Sequence, residues 1–570
     1  MAKMIGAEMF FETLLDEGID VIFGLPGGYV LKVYDVMSTY TEKRGVLKHV
    51  LARHEQGATH MADGYARASG RPGVVLCTSG PAATNTVTGI ATAHMDSSPI
   101  VIFTGQVPTP YLGSDAFQEA DHIGITRPCT KHNTLVRRTK DLPLAIKEAF
   151  YIASTGRPGP VLVDMPKDVL VGEDEFVIPK EFNLRGYKPN VKPHVGQMKR
   201  AVKMLLGAKR PVIFGGGGLI WSGASSELIE FAHRLQIPVT STLMGLGAFP
   251  SSDPLFISML GMHGSYAANM AIHESDIILS IGARFDDRAT GGNFASFAPN
   301  AKIIHVDIDP STIDKNIKVH CPIVGDAKAV LEHMLEMVPA DHKVDRSEWL
   351  GMIGQWVKEH PLTCHKSDDK IQTSWAVELL SDMTKGEAII VTDVGQHQMW
   401  VAQFYKFNKP RTHITSGGLG TMGFGFPAAI GAKFARPDDQ VIAVCGDGSF
   451  QMNFQELSTA VEQNLDLKII VFINRYHGMV RQWQALFFES NFSSTYFEVM
   501  PDFVKLAESF GARGLRCERP DQLEATFREG MNMPGVVLME IVVDHTEMVY
   551  PMIAPGGAMN EMIMDPVDMA

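Results

Sequence analysis

The sequence predicts an α/β protein built from three doubly wound parallel-sheet domains. Runs rich in valine and isoleucine recur along the chain and end in glycine or proline. Such runs are typical of strands that are buried on both faces of a parallel sheet. Helical segments separate them, and strands that alternate with helices form doubly wound sheets. The 570 residues are enough for roughly three domains.

The first predicted domain covers residues 1–186. One long helix is predicted over residues 55–69. The predicted strands are VIFGLP (21–26), KHVLAR (48–53), GVVLCTSGP (73–81), PIVIFTG (99–105) and GPVLVDMP (159–166). The following segment, 177–194, is polar and contains prolines, so we expect a linker there.

The second predicted domain, residues 195–345, has the pattern of a nucleotide-binding sheet. Its strands are RPVIFGGGG (210–218), which enters a glycine run, DIILSIGARFDDR (276–288) and AKIIHVDIDP (301–310). The glycine run does not match G-x-G-x-x-G, so a sheet that binds no nucleotide stays an alternative. Asp307 or Asp309 stands where an acid would bind a ribose hydroxyl.

The third predicted domain covers residues 371–570. It contains AIIVTDVG (388–395), the glycine-rich SGGLGTMGFGFPAAIGA (416–432) and VVLMEIVVD (536–544). The first and third domains share the doubly wound pattern, as duplication of one ancestor would give.

Two polar residues of the third domain follow neighbouring strands. The predicted elements are a strand Val441–Cys445, a helix Asn453–Val461 and a strand Lys468–Ile473. Parallel strands joined by a helix end at one sheet edge, so we expect Asp447 and Asn474 to point at one spot. Their oxygens suit Mg²⁺ or Ca²⁺, and Mg²⁺ favours one or two protein oxygens combined with phosphate oxygens. The alternative is an ordinary Asp-Gly turn.

This spacing resembles the motif of thiamine diphosphate (ThDP) enzymes, in which GDG precedes an asparagine by a spacer in the mid-twenties. The motif usually ends in Asn-Asn, whereas this chain has Ile473-Asn474, which keeps the metal-binding second position. The glycines beside Asp447 would let the backbone approach a diphosphate closely.

Charge and patterning disfavour several other classes of protein. The formal charge is −13 without a basic run, which disfavours nucleic-acid binding. No apolar run reaches the roughly 18 residues of a membrane span, and the acidic amino-terminal segment does not suit a targeting peptide. We therefore expect a cytoplasmic protein. The six cysteines lack CxxC spacing and are expected to be reduced.

A ThDP site needs two further groups. A carboxylate bonded to N1′ of the pyrimidine lets the 4′ nitrogen take the proton of the thiazolium carbon, and a bulky apolar side chain supports the bent cofactor. Glu55 is the candidate acid, and a helix-dipole acid is the alternative. Met422 is the candidate apolar support, and core packing is the alternative. Because these residues lie in different domains and such sites form across subunit interfaces in this superfamily, we expect at least a homodimer.

Nearly the whole chain resembles the catalytic large subunit of the acetohydroxyacid (acetolactate) synthase family. The matching segments are RHEQGATHMADGYAR, SDAFQEADHIGITRPCTKHN, RPGPVLVDMPKDV, GMHG, GARFDDR, VGQHQMW, SGGLGTMGFG, CGDGSFQMNFQEL and GMVRQWQ. The resemblance implies pyrimidine-binding and diphosphate-binding ThDP domains that flank a central FAD-binding domain.

The resemblance also implies roles for individual residues. ThDP would be bound by Glu55, Gln396, His397, Gly420, Met422, Gly446, Asp447, Gly448, Ser449, Asn474 and Met479, and Mg²⁺ by Asp447, Asn474 and Tyr476. FAD would be bound by Arg157, Gly216, Thr242, Leu243, Gly261, Met262, His263, Gly282, Ala283, Arg284, Asp286, Asp307, Ile308 and Asp326. The catalytic residues would be Glu55, Gln118, Lys167, Arg288 and Trp483.

Some of these residues would contact substrate rather than cofactor. Phe117, Gln118 and Lys167 would line the substrate channel. Arg288 would bind the carboxylate of the second 2-keto acid bidentately, and Trp483 would shape its pocket; a surface ion pair and a core aromatic are the alternatives. Tyr29 departs from the alanine of most members, which leaves the detailed substrate preference in doubt.

The implied activity has two steps and two products. Pyruvate is decarboxylated on ThDP, and the hydroxyethyl unit condenses with a second pyruvate to give 2-acetolactate, or with 2-ketobutyrate to give 2-aceto-2-hydroxybutyrate. These products lead to valine, leucine and isoleucine. Another ThDP and FAD enzyme, such as pyruvate oxidase or a 2-keto acid decarboxylase, is the alternative, and a non-catalytic paralogue would lack Glu55 or Asp447. A homodimer or tetramer with a small regulatory subunit is the implied assembly.

Overall fold

Three six-stranded parallel sheets organise the computed structural model, which describes residues 3–339, 342 and 344–565. Helices cover the sheets, so the α/β class predicted from the sequence is confirmed. Within the described residues, no helix combines the length and apolar character that a membrane span requires.

The amino-terminal sheet lies within the first 170 residues or so of the chain. The strands are β1 (Lys3–Ile5), β2 (Val21–Gly24), β3 (Lys48–Leu51), β4 (Gly73–Cys77), β5 (Ile100–Gln106), β6 (His132–Leu135), β7 (Val161–Pro166) and β8 (Glu173–Glu175). The helices are α1 (Gly6–Asp16), α2 (Leu31–Ser38), α3 (Glu55–Ser69), α4 (Pro81–Asn85), α5 (Val87–Met95), α6 (His122–Thr126), α7 (Leu142–Ser154) and α8 (Lys167–Val171). Strands β1 and β8 form a separate antiparallel pair, and the sheet order is β3-β2-β4-β5-β7-β6.

The central sheet follows a stretch without helix or strand between Glu175 and Val195, where a linker was predicted. Its strands are β9 (Pro211–Gly215), β10 (Val239–Ser241), β11 (Phe256–Met259), β12 (Ile277–Ile281), β13 (Lys302–Asp307) and β14 (Cys321–Val324). The helices are α9 (Val195–Gly207), α10 (Gly217–Ser222), α11 (Ser225–Leu235), α12 (Tyr266–Glu274), α13 (Asp287–Thr290), α14 (Ala327–Met337) and α15 (Ser347–Glu359).

The six-stranded carboxy-terminal sheet is followed by a strap, residues 543–565, which crosses to the central domain and contains a separate antiparallel pair of strands, Met552–Ile553 and Met562–Ile563. The strands are β15 (Ile389–Thr392), β16 (His413–Ile414), β17 (Val441–Gly446), β18 (Lys468–Ile473), β19 (Arg513–Cys517), β20 (Val537–Val542), β21 (Met552–Ile553) and β22 (Met562–Ile563). The helices are α16 (Thr373–Thr384), α17 (Gln396–Phe404), α18 (Gly425–Ala435), α19 (Asp447–Phe450), α20 (Leu457–Glu462), α21 (Gly478–Phe487), α22 (Phe503–Ser509) and α23 (Leu523–Asn532). In the strap, the N–H of Ile553 donates to the carbonyl of Met262 at 2.8 Å.

Strand order relates the outer sheets to each other and sets the central one apart. The carboxy-terminal order is β16-β15-β17-β18-β20-β19, so both outer sheets run second, first, third, fourth, sixth, fifth. This shared order is what duplication would produce. The central order, β11-β10-β9-β12-β13-β14, is that of a dinucleotide-binding sheet. The domain boundaries 1–186, 195–345 and 371–570 stay predictions.

Helices α3 and α18 join the first and third domains. The two helices run antiparallel, because Met61 faces Gly431 while Gly64 faces Ala428. A Cβ atom at Gly431 would collide with the carbonyl of Met61, and one at Gly64 with that of Ala428. The small residues of α3 therefore let two backbones approach closely, and one hydrophobic core spans both domains.

The structure corrects one predicted element. The single helix predicted over Asn453–Val461 is a 3₁₀ helix, Phe454–Glu456, followed by α20. Asn453 has an extended φ of −143°, and its side-chain amide donates to the carbonyl of Gly423 at 2.7 Å. This bond to a distant carbonyl holds Asn453 outside helical geometry, so the α-helix begins later than predicted.

Candidate active site

Asp447 and Asn474 lie together at the carboxyl ends of β17 and β18. Asp447 is 2% exposed. One of its carboxylate oxygens accepts the backbone N–H of Asn474 at 3.1 Å and that of Arg475 at 2.6 Å, and the other accepts the N–H of Gly448 at 2.7 Å. The predicted juxtaposition of the two residues is therefore present. Tyr476 is adjacent, since its N–H donates to the side-chain oxygen of Asn474 at 2.8 Å.

The electrostatics of Asp447 suit a nearby cation. Burial raises its pKa to about 6, although the N–H groups of Arg475, Gly448 and Asn474 act in the opposite direction. The negative charge of a buried carboxylate is costly unless it is compensated, and a bound metal ion would compensate it. Within the described part of the chain no group of three His, Cys, Asp or Glu side chains could hold a metal. This donor set of one carboxylate and one amide fits Mg²⁺, which takes further ligands from phosphate and water.

The neighbouring strand end, after β15, brings Gln396 and His397 to the same place. His397 is buried, burial lowers its pKa to about 4, and its Nε2 has no hydrogen-bond partner among the described residues. A Cβ atom at Gly446 would lie 3.1 Å from Cε1 of the His397 ring, so glycine keeps space beside the ring. A phosphate oxygen would be a partner for Nε2 in its protonated tautomer. The Gln396 amide nitrogen donates to Gln482 at 2.9 Å.

The glycine-rich loop that contains Gly420 and Met422 is held in place by the carboxylate of Asp393. Gly420 has a φ of +69° and is exposed, and Met422 is half-buried. Asp393 accepts the N–H groups of Gly423 at 2.9 Å and Gly425 at 3.0 Å. The carboxylate of Asp393 therefore fixes the backbone of the loop just after Gly420 and Met422.

The first domain carries a separate group of predicted residues. Glu55 is the first residue of α3, is half-buried, and accepts the side-chain N–H of Asn85 at 2.9 Å. Gln118 has a φ of +60°, and the neighbouring Phe117 is 79% exposed. Lys167 is exposed at the start of α8.

Glu55 and the glycine-rich loop of the same chain lie at opposite ends of the α3–α18 pair. Arg67 donates to the carbonyl of Thr415 at 2.6 Å, which places the loop beside the carboxyl end of α3. Glu55 is twelve residues earlier on the same helix, roughly 18 Å away along its axis at 1.5 Å per residue. A single pyrimidine ring could not touch both groups of one chain.

A cavity of about 910 Å³ opens between β9 and β12 of the central sheet. This position is the topological switch point, where open α/β sheets bind ligands. Predicted residues that line it are Arg157, Thr242, Leu243, Met262, His263, Gly282, Ala283, Arg284, Asp286, Asp307, Ile308, Asp326, Arg288, Gly420, Met479 and Trp483. Predicted residues that do not line it are Gly216, Gly261, Glu55, Gln118, Lys167, Gln396, His397, Met422, Gly446, Asp447, Gly448, Ser449, Asn474 and Tyr476.

The walls of this cavity have the features of a nucleotide site. The N–H of Gly218 donates to the carbonyl of Gly282 at 3.2 Å, and a Cβ atom at Gly216 would collide with that carbonyl. Gly216 thus packs directly behind Gly282, which lines the cavity. Asp307 ends β13, and burial raises its pKa to about 6. Arg157 donates to Ser97 at 2.8 Å and to Asp309 at 3.2 Å.

The cavity reaches the third domain at Arg288 and Trp483. The Arg288 guanidinium carbon lies 5.6 Å from the centre of the Trp483 ring, within the range of a cation–π contact. The Arg288 side chain is 60% exposed, and its ion pair with Asp287 is long, at 3.7 Å, so the guanidinium is accessible to an anion. Gly420 and Met479 of the third domain line the same cavity. The cavity of the central sheet therefore extends to the glycine-rich loop of the third domain.

Comparison with known proteins agrees with this arrangement. Family models of the thiamine pyrophosphate enzymes match residues 4–125 (N-terminal TPP binding domain), 198–334 (central domain) and 393–541 (C-terminal TPP binding domain). The acetolactate synthase large subunits of Haemophilus influenzae and of Buchnera aphidicola from Schizaphis graminum are each 51% identical, over 99% of both chains. The isozyme 3 large subunit of Escherichia coli K12 is 48% identical, also over 99% of both chains. The chain belongs to the acetolactate synthase large-subunit family.

Sequence reasoning missed two acidic residues, Asp96 and Asp393, that bind the glycine-rich loop in this member of the acetolactate synthase family. Asp96 accepts the N–H groups of Gly417 at 3.1 Å and Gly418 at 2.6 Å, and it also pairs with Arg67 at 3.1 Å. The contacts join residues about 320 positions apart, so no local pattern indicates them. Asp393 was detectable, because it directly follows the buried strand β15.

Proposed function

We propose that this chain is the catalytic subunit of an acetolactate synthase that acts on pyruvate. It would transfer a two-carbon unit from one pyruvate to a second pyruvate or to 2-ketobutyrate, with release of CO₂. The observation that carries this proposal is the identity of about half of all positions to acetolactate synthase large subunits over 99% of both chains.

ThDP and Mg²⁺ fit the third domain. Asp447 and Asn474 would hold Mg²⁺ through their side-chain oxygens, and His397, whose Nε2 lacks a partner among the described residues, would bind a diphosphate oxygen. When bound, ThDP supplies an electron sink for the carbon that loses CO₂. The protein would contribute position and charge, with the glycine-rich loop fixed by Asp393 and Asp96.

Glu55 would act on the pyrimidine of ThDP from a second copy of the chain. Its carboxylate, oriented by Asn85, would hold a hydrogen bond at N1′. The separation of Glu55 from Gly420 along α3 and α18 supports a homodimer in which each site takes its acid from one chain and its metal from the other.

Arg288 and Trp483 would select the second substrate. A guanidinium binds a carboxylate through two parallel hydrogen bonds, and the contact with the Trp483 ring limits its orientations. The Trp483 ring would then border the side chain of the 2-keto acid, which is where pyruvate and 2-ketobutyrate differ. Phe117, Gln118 and Lys167 would complete the channel from the partner side.

FAD fits the central cavity. The sheet has dinucleotide-binding strand order, the cavity lies at its switch point, and Asp307 stands at the end of a strand. A smaller regulatory subunit would bind the assembly, because the relatives are themselves named large subunits. A cytoplasmic location stays a prediction.

Product analysis tests the proposal. Purified protein with ThDP, Mg²⁺ and FAD receives a mixture of pyruvate and 2-ketobutyrate, and 2-acetolactate and 2-aceto-2-hydroxybutyrate should both form. Release of CO₂ without either product would point to a decarboxylase, and peroxide formation to an oxidase. Glu55→Gln should abolish turnover while leaving the fold intact, because the amide of glutamine is neutral.

A further inference from the structure

Glu456 is a carboxylate of the third domain that is buried at the start of α3. It is 0% exposed. One carboxylate oxygen accepts the backbone N–H of His54 at 3.0 Å and that of Arg53 at 3.1 Å. The other accepts the Arg53 N–H at 3.1 Å and the hydroxyl of Thr459 at 2.8 Å. The two residues that precede Glu55 are thus bound to a side chain 402 positions away.

We infer that Glu456 is a positioning residue, which holds the catalytic acid Glu55 in place from the third domain of the same chain. The inference rests on the proposed role of Glu55. Its hydrogen bonds run to the backbone of Arg53 and His54, so Glu456 would act through the turn that carries Glu55 and not by contact with ThDP or substrate.

The surrounding residues are arranged around this contact. A Cβ atom at Gly57 would collide with the Glu456 carboxylate, so glycine in the first turn of α3 leaves room for it. The same Thr459 hydroxyl lies 3.0 Å from the carbonyl oxygen of Leu51, the last residue of β3, so its one proton is shared between that carbonyl and the Glu456 carboxylate. The turn from β3 into α3 is therefore attached to the segment 456–459 at three residues, Leu51, Arg53 and His54.

The cost of this burial shows that the contact is not an incidental one. Burial raises the pKa of Glu456 to about 7, even though Thr459, Arg53 and His54 all favour the charged form. A buried carboxylate is tolerated only where hydrogen bonds replace its water. Glu55 gains from that arrangement, because a displacement of about 1 Å in a catalytic group can lower a rate roughly a hundredfold.

Three variants of the full-length protein test the inference. Glu456→Gln keeps the shape but loses the charge and one acceptor, and Glu456→Ala removes all the acceptors. Glu462→Gln is the matched control, since it breaks only the ion pair to the Arg53 side chain on the same face. All three are compared with Glu55→Gln, and melting temperatures establish which variants are folded.

Two readouts decide the outcome. In steady-state kinetics, kcat should fall about tenfold in Glu456→Gln, as expected for a lost hydrogen bond to a charged group, and further in Glu456→Ala, while KM for pyruvate stays within about twofold. In the cofactor-free protein, hydrogen exchange of the Arg53 and His54 amides should accelerate in both variants and stay slow in Glu462→Gln.

The inference is overturned if folded Glu456→Gln keeps wild-type kcat while those amides lose protection, or if kcat falls and they stay protected. If Glu456→Ala does not fold, Glu456→Gln alone decides. Full activity in Glu55→Gln would instead overturn the proposed function, so the two failures are distinguishable.

Discussion

At the scale of single residues, the first domain contains a tyrosine that joins two loops. The Tyr29 hydroxyl donates to the carbonyl of Phe117 at 2.8 Å, and its backbone N–H donates to Thr78 at 3.2 Å. Phe117 and Gln118 are the predicted channel residues. The Tyr29 hydroxyl therefore joins the loop that carries them to the segment that follows β2.

Removal of that hydroxyl should change substrate preference. In Tyr29→Phe the loop loses one hydrogen bond, worth about 1 kcal/mol, and a looser channel should raise the share of product from the larger 2-ketobutyrate several-fold. Competition between the two acceptors measures this share. Tyr111→Phe is the control, because Tyr111 is 58% exposed on the same loop. An unchanged product ratio in Tyr29→Phe would contradict the prediction.

Arg288→Lys should separate the two halves of the reaction. Lysine supplies a point charge without the planar fork that binds a carboxylate and stacks on Trp483. We expect KM for the second 2-keto acid to rise about tenfold, equivalent to about 1.4 kcal/mol, with less effect on the first decarboxylation. Parallel assays of CO₂ and acetolactate measure both. Arg138→Lys, on the surface beside Asp141, should behave like wild type.

The residues that sequence could predict are those whose position follows from strand ends. Asp447 and Asn474 were found because parallel strands end at one edge of the sheet. Glu456 and Asp96 were not found, because their partners are hundreds of positions away and neither belongs to a local motif. Sequence also placed Glu55 correctly at the start of its helix, and the length of α3 supports the site between two chains that the resemblance implied.

At the scale of elements, the crossing of α3 and α18 depends on glycine. In Gly431→Ala the added Cβ would collide with the Met61 carbonyl, which is backbone and cannot swing aside. We expect a loss of stability of about 1–3 kcal/mol and reduced activity, since both helices lead to site residues. Chemical denaturation and kcat measure these effects.

Gly351→Ala is the matched control for that crossing. Gly351 lies inside α15, where a Cβ atom would meet nothing within 4 Å. Alanine is the better helix former by about 1 kcal/mol, so this variant should be as stable as wild type or more stable. Equal effects of the two substitutions would show that the helix crossing has no special role.

The buried Glu456 also predicts a pH dependence of stability. Burial raises its pKa from the ordinary glutamate value of 4.5 to about 7 in the folded protein, so the folded state holds its proton more tightly. Its contribution is fully present below about pH 4.5 and is lost as the pH rises through 7; the shift corresponds to about 3 kcal/mol. Urea unfolding at pH 5 and pH 8 should show a smaller loss in Glu456→Gln than in wild type. An equal loss in both proteins would argue against this titration.

Most strands at the centre of each sheet were predictable, whereas most strands at the edges were not; the inner strand β10 was missed, and the edge strand β3 was predicted. Strand β18 has the bounds that its apolar run predicts. Strands β6, β16 and β19 were not predicted, because they are short or carry polar and charged residues at the sheet edges. Edge strands bury less of their surface, so their sequences carry a weaker hydrophobic pattern.

At the scale of the whole molecule, the placement of Glu55 and Asp447 predicts complementation between two inactive chains. Homodimers of Glu55→Gln or of Asp447→Asn should both be inactive. A heterodimer of the two variants would combine both defects in one site and leave the other site intact, so it should show about half the wild-type activity. Differently tagged chains allow its purification. An inactive heterodimer would mean that one chain supplies both groups to the same site.

The antiparallel pair of α3 and α18 also has a consequence for timing. In an assembled dimer, the end of each helix pair that carries Glu55 would lie in one active site, and the end beside the glycine-rich loop would lie in the other. Because the two helices pack closely along their length, one end of the pair cannot tilt without moving the other. Motion during turnover at one active site would therefore be transmitted to the other. Turnover at the two sites would then be coupled rather than independent.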